Sequence, residues 1–132
     1  MDLMIREFRV EDGWGRPVVH GELSSVEELE SYVRRLDGDR FARLALHTDD
    51  WSYLHLLGGF AARYQCEFVD DDNHLSVSAL PSQAPPDPAE DVRLSESFET
   101  SAGLVVDLDT AIQVAKHYAQ HGGPHPGYLW GR

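Results

Sequence analysis

Arg40-Phe-Ala-Arg-Leu-Ala-Leu-His-Thr-Asp-Asp-Trp-Ser-Tyr-Leu-His-Leu-Leu-Gly-Gly59 is the stretch that decides the fold class of this chain. Its apolar residues recur with a period of two: Ala42, Leu44 and Leu46 in one run, then Trp51 and Tyr53 with Leu54, Leu56 and Leu57 in the next. That period belongs to a pleated strand, whose successive side chains point to opposite faces. Asp49-Asp50 supplies the turn between the runs, and Gly58-Gly59 a second tight turn. Phe60 to Val69, with Tyr64, Cys66 and Phe68 alternating, is expected to form a long strand. Asp70-Asp71-Asp72-Asn73 turns the chain again before Leu75, Val77 and Ala79. Together these runs predict an antiparallel meander, in which the acidic turns at 49–50 and 70–72 lie at the same end.

Outward from the meander, the flanks supply a hairpin and two helices. Met4, Phe8 and Val10 share one parity; Asp12-Gly-Trp-Gly-Arg-Pro17 turns the chain; Val18 to Leu23 resumes an extended pattern. Ser25 followed by Glu28 has the spacing of a capping box, so a helix begins there. Val26, Leu29, Val33 and Leu36 line its apolar face and Gly38 ends it. Residues 81–91 hold four prolines and are expected to be an exposed loop. Val92 to Thr100 is expected to return as a strand and Leu104 to Val106 as a shorter extended piece. Asp107 or Asp109 can cap a last helix carrying Leu108, Ala111, Ile112, Ala115 and Tyr118, stopped by Gly122-Gly123. The pattern predicts an α+β fold: a twisted antiparallel sheet of about five or six strands with helices 25–37 and 108–121 packed on one face. A chain of 132 residues has room for a single domain spanning 1–132.

Charge separates the classes of partner. Asp and Glu number 23 against 11 Lys and Arg, a formal net charge of -12. Such a chain repels phosphates and anionic lipid, so nucleic acid and membrane are poor partners and a protein with a basic surface is favoured. The competing reading is that the charge serves solubility alone. No leader-like segment and no long apolar run is present, so a soluble cytoplasmic protein is expected.

Motifs of chemistry are sparse. His117 and His121 stand four apart on the last helix with His125 beyond them, a spacing that can share a metal ion. There is no Cys pair and no His-Glu-x-x-His, and His125 lies between two prolines, so surface histidines and no metal are expected. The Asp70-Asp71-Asp72 run lacks the alternating acids, central glycine and distal glutamate of an EF-hand. No phosphate-cradling glycine loop and no Gly-x-Ser-x-Gly elbow occurs, so neither a cofactor nor a catalytic residue is assigned. Cys66, in an apolar stretch, reads as a buried inert thiol, with a catalytic thiol as the alternative.

The C-terminal segment carries a resemblance. Asp107-Leu-Asp-Thr-Ala-Ile-Gln-Val-Ala-Lys-His-Tyr118-Ala-Gln-His-Gly-Gly123-Pro-His-Pro126-Gly-Tyr-Leu-Trp130 resembles the ending of immunity protein family one, bacterial proteins encoded beside polymorphic toxins. In that family a final helix with small buried residues and an aromatic near its end runs into a Gly-x-x-Pro turn and a terminal tryptophan. Tyr118, Gly123, Pro126 and Trp130 fall on that pattern and are expected to be structural. The preceding hairpin, helix and meander follow in the same order. The resemblance implies an α+β fold and neutralisation of a cognate toxin, prominently a deaminase acting on nucleic acid. The same residues are also explained as a helix docked by Tyr118 and Trp130, with no function attached.

An acidic inhibitor can steer to the basic surface of a nucleic-acid-acting toxin and occupy the place of the phosphates. Candidate contacts are therefore the acidic turns, Asp49, Asp50, Asp70, Asp71 and Asp72, with the aromatics Trp51 and Tyr53 beside them as anchors. Core packing of both aromatics is the competing reading. Behind the immunity reading stand an acidic adaptor or chaperone-like binding domain and, third, an uncharacterised enzyme.

Overall fold

The computed structural model describes residues 3–47 and 51–132. Strands β1 (Glu7–Glu11) and β2 (Pro17–Glu22) form a hairpin, followed by helix α1 (Val26–Arg35). The meander is β3 (Arg43–His47), β4 (Ser52–Gly58), β5 (Tyr64–Asp70) and β6 (Leu75–Ala79). Two short strands, β7 (Asp91–Arg93) and β8 (Glu99–Ser101), precede helix α2 (Leu108–His121) and a two-residue strand β9 (Trp130–Gly131). The main sheet has seven strands in the order β2-β1-β3-β4-β5-β6-β9, every neighbouring pair antiparallel. It is an α+β fold, with β9 adding an edge strand to the number expected.

Both helix starts are set by local chemistry. The Ser25 hydroxyl accepts from the Glu28 amide at 3.0 Å, and the Glu28 carboxylate reaches back to accept from the Ser24 amide at 2.9 Å. At α2 it is Asp107 that caps, accepting from the Thr110 amide at 2.9 Å. The end of α2 is closed by Gly122, whose left-handed backbone lets its amide reach the Tyr118 carbonyl at 2.7 Å.

One layer of helices covers one face of the sheet. Leu29 and Val33 of α1 and Ala111, Ile112, Ala115, Tyr118 and Ala119 of α2 share a single core with Leu44, Leu46, Leu54, Leu56, Cys66 and Phe68. Burying each of those leucines stabilises the fold by roughly 2 kcal/mol. The Tyr118 hydroxyl, at the bottom of this layer, is 2.9 Å from the Ser52 hydroxyl at the start of β4. Trp130 packs on the rim, half-buried, its indole N–H donating to the His125 carbonyl at 3.0 Å.

Two expected strands take a different form. Residues 60–63, assigned above to the long strand, form a tight turn, and β5 starts at Tyr64. Gly59, at φ 120°, sends the chain into this turn, and Ala61 and Ala62 follow with φ of 52° and 56°. Residues 92–100 are not one strand but the two arms of a short hairpin, β7 and β8, apart from the main sheet. Its turn is closed by the Leu94 amide on the Phe98 carbonyl at 2.9 Å.

The two kinds of glycine here separate cleanly. A Cβ on Gly59 would stand 2.4 Å from the Leu36 carbonyl carbon and oxygen, whereas one on Gly123 would meet nothing within 4 Å. Gly59→Ala is expected to lower stability by about 2 kcal/mol or more, and Gly123→Ala by less than about 0.5 kcal/mol, as read from urea midpoints.

Candidate functional site

The face of the sheet turned away from the helices is partly open. Strand alternation puts Glu7, Arg9 and Glu11 of β1, Arg43 and His47 of β3, Tyr53, His55 and Leu57 of β4, and Gln65, Glu67 and Val69 of β5 on it. At one end Leu57 joins a small second core with Val92, Leu94 and Ala102, so the β7–β8 hairpin roofs that end. The opposite end, where β4 begins and β5 ends, has no such roof among the described residues.

That end gathers several of the residues singled out from the sequence. Ser52 pairs with Asp70 and Tyr53 with Val69, so the start of β4 lies beside the turn after β5. The Asp71 amide donates to the Trp51 carbonyl at 3.0 Å, tying the two segments together. Asp70 orders the turn itself, one carboxylate oxygen accepting from the Asn73 side-chain amide at 2.7 Å. Asp71 and Asp72 are exposed. Trp51 is 69% exposed and has a φ of 64°, a left-handed backbone that a bulky residue adopts at a cost of about 1 kcal/mol. It is therefore outside the core, contrary to the alternative that buried both aromatics. Tyr53 is half-buried on the open face. Asp49 and Asp50 lie outside the described residues.

Beside Tyr53 is a group that sequence reasoning did not select. The rings of Tyr53 and His55 are 4.5 Å apart, and His47 stands 5.6 Å from Tyr53 and 6.2 Å from His55. His55 is buried and its imidazole is held by the Arg43 guanidinium. Burial, then the positive charge of Arg43, push the His55 pKa down to about 3, so the ring is neutral at physiological pH. Burial also lowers His47, and burial with the nearby Asp71 and Glu67 raises the Tyr53 hydroxyl. The parity of β4 was the available signal: 53 and 55 must face away from Leu54 and Leu56.

The C-terminal residues take positions of their own. Tyr118 is buried at 1% exposure, while Pro126 is exposed and Gly123 half-buried. The His117 ring lies 4.7 Å from that of His121 and 4.8 Å from that of His125, tilted by 37° and 45°. Among the described residues no group of three His, Cys, Asp or Glu is placed to hold a metal ion. Cys66 is fully buried, and burial pushes its thiol up to about 12, far from a reactive thiolate. No helix among the described residues is long and apolar enough to cross a membrane.

The fold and this surface define an α+β protein with one sheet face given to helices and the other partly free. A family profile, immunity protein Imm1, matches residues 20–129, and the chain belongs to that family. Membership implies a toxin protein as its partner. No curated protein matches the chain.

The buried neutral imidazole has a consequence for acid stability. In the unfolded chain His55 takes up a proton below about pH 6.5, whereas in the folded chain it does so only near pH 3. The unfolded state then binds more protons, so stability is full above pH 6.5 and falls as pH drops below it. Between about pH 6 and 5 this one group is expected to remove close to 1.4 kcal/mol per pH unit. His55→Gln, which keeps an acceptor for Arg43, should flatten that slope in urea denaturation; an unchanged slope would show that His55 titrates normally.

Proposed function

We propose that this immunity protein acts in the cytoplasm by binding a cognate toxin that works on nucleic acid, in first place a deaminase, and by covering the basic surface with which that toxin holds its substrate. The observation that carries this reading is the juxtaposition of Trp51 with the acidic turn. An exposed tryptophan in a strained backbone, hydrogen-bonded through its carbonyl to Asp71, joins an aromatic anchor and a cluster of carboxylates into one surface. Strain held at an exposed aromatic asks for a purpose other than packing. Tryptophan is among the residues that most often dominate interface energy.

Charge supplies the second support. At a net charge of -12 the whole molecule is attracted to a basic partner, and the local acids orient the encounter. Nucleic acid and membrane surfaces are disfavoured as partners by the same field. Asp49, Asp50, Asp71, Asp72, Trp51 and Tyr53 are the residues assigned to contact the toxin, with Asp70 ordering their turn. The chain is a stoichiometric inhibitor in this reading and not an enzyme.

The test is co-expression with a candidate toxin, sought among the neighbouring genes, followed by kinetics on the purified pair. Replacing Asp49, Asp50, Asp71 and Asp72 with Asn, and sparing Asp70, is expected to slow association about tenfold at low salt and to reduce its salt dependence. Stability should move by less than about 0.5 kcal/mol, since exposed charges contribute little to it. Trp51→Ala should instead speed dissociation and cost about 2 kcal/mol of affinity. Wild-type association and dissociation rates in both variants would place the contact surface elsewhere.

A further inference from the structure

On the open face, β5 and β6 bound a cavity of about 350 Å3, lined by Gln65, Glu67, His74, Ser76, Ser78 and Arg132 among others. It adjoins the acidic turn, because His74 belongs to the segment that joins the two strands. Its chemistry is out of balance in two respects. Gln65 is 6% exposed, and its side-chain amide donates to the Ser78 hydroxyl at 2.9 Å. Its carbonyl oxygen is sealed from water and has no hydrogen-bond partner among the described residues. A buried acceptor left in that state loses its hydration without return, an exception that asks for a reason.

Glu67, next but one along β5, is the second. One of its oxygens accepts from the Ser76 hydroxyl at 3.2 Å, and it forms no ion pair among the described residues. Neither strand beside β5 carries a Lys or Arg, and Arg43, one strand further away on β3, is already engaged by His55 and lies 3.8 Å from Glu11. His55, directly across β4 from Glu67, is neutral. Arg132 also lines the cavity; it is exposed and forms no ion pair among the described residues.

We propose that this cavity receives an arginine side chain of the partner, whose guanidinium donates to the Glu67 carboxylate and to the Gln65 carbonyl oxygen. Arginine fits better than lysine because two acceptors in fixed positions suit a planar fork of five donors, whereas an ammonium is a point charge. A half-turn about the last Gln65 torsion, which is broad and soft, exchanges oxygen and nitrogen, so the oxygen takes the place where the amide now meets Ser78 and the Ser78 hydroxyl can donate to it in turn. The identity of the partner as a toxin rests on the function proposed above; the preference of the cavity for a guanidinium does not.

The experiment therefore has two arms. In the first, the purified chain is titrated with N-acetyl-arginine methylamide and, separately, with its lysine counterpart, and the amide resonances of Gln65, Ser76 and Ser78 are followed. Saturable shifts are expected with the arginine probe and weaker ones with lysine. Glu67→Gln should weaken the arginine probe about tenfold, and Arg132→Ala, which removes a competing cation, should tighten it. In the second arm, Glu67→Gln should raise the dissociation rate of the toxin complex by a similar factor. Absence of saturable shifts, equal response to the two probes, or insensitivity of the probe or the toxin to Glu67→Gln would overturn the proposal. A wild-type chain that binds no toxin would instead sink the function proposed above, while the probe titration still decides what the cavity takes.

Discussion

Leu54 and Leu56 on β4, both fully buried beneath the helices, fix which face of the sheet is which. A strand has a side-chain period of two, so a slip of one residue would drive Tyr53, His55 and Leu57 into the core and expose the leucines. The partners on either side obey the same parity: Leu46 and Phe68 flank Leu54, and Leu44 and Cys66 flank Leu56. The open face is therefore a by-product of core packing, and the groups on it are held with the rigidity of the core. Trp51, one residue before this strand begins, inherits its position from the same register.

Much of this was legible in the residues themselves. Alternation in 42–57 and 64–79 showed the strands, Ser25 with Glu28 showed the first helix start, Asp107 or Asp109 bracketed the second, and the charge pointed toward a protein partner. What escaped is instructive. Residues 60–63 were joined to the strand on the strength of the alternation at Tyr64, Cys66 and Phe68, yet Gly59 turns the chain and two alanines adopt a left-handed backbone that alanine rarely does, so no local propensity could reveal it. The β7–β8 hairpin was hidden because its arms are three residues each, too short for a period to declare itself. The unmatched acceptor on Gln65 and the free carboxylate of Glu67 depend on which groups stand across the sheet. That is a property of register and not of any single stretch of sequence.

The electrostatics of the open face follow from a division of labour between its acids and the two arginines of β1 and β3. Arg43 serves His55 and approaches Glu11, and Arg9 lies 3.0 Å from Glu11, so both arginines are occupied on the side of β1 and β3. On the side of β5 and β6 the cation at hand, Arg132, is exposed and forms no ion pair with Glu67 among the described residues, so Glu67 with Asp71 and Asp72 keeps its charge turned outward. The face is thus balanced at one side and negative at the other, which gives an approaching basic surface a preferred orientation before contact.

The edges of the sheet are treated differently from its faces. Wide antiparallel sheets invite further strands to add at their rims, and a second copy of the same chain is the nearest supplier. At one rim β9 covers β6 through two residue pairs, a guard strand too short to template another. At the other, β2 opens with Pro17, which offers no amide, and its pairing with β1 slips between Val10 and Glu11. Together with the mutual repulsion of copies that each carry a net charge of -12, these features discourage self-templated growth. What is left at each rim is therefore a short or interrupted template, too little for sheet to grow from copy to copy along its edges.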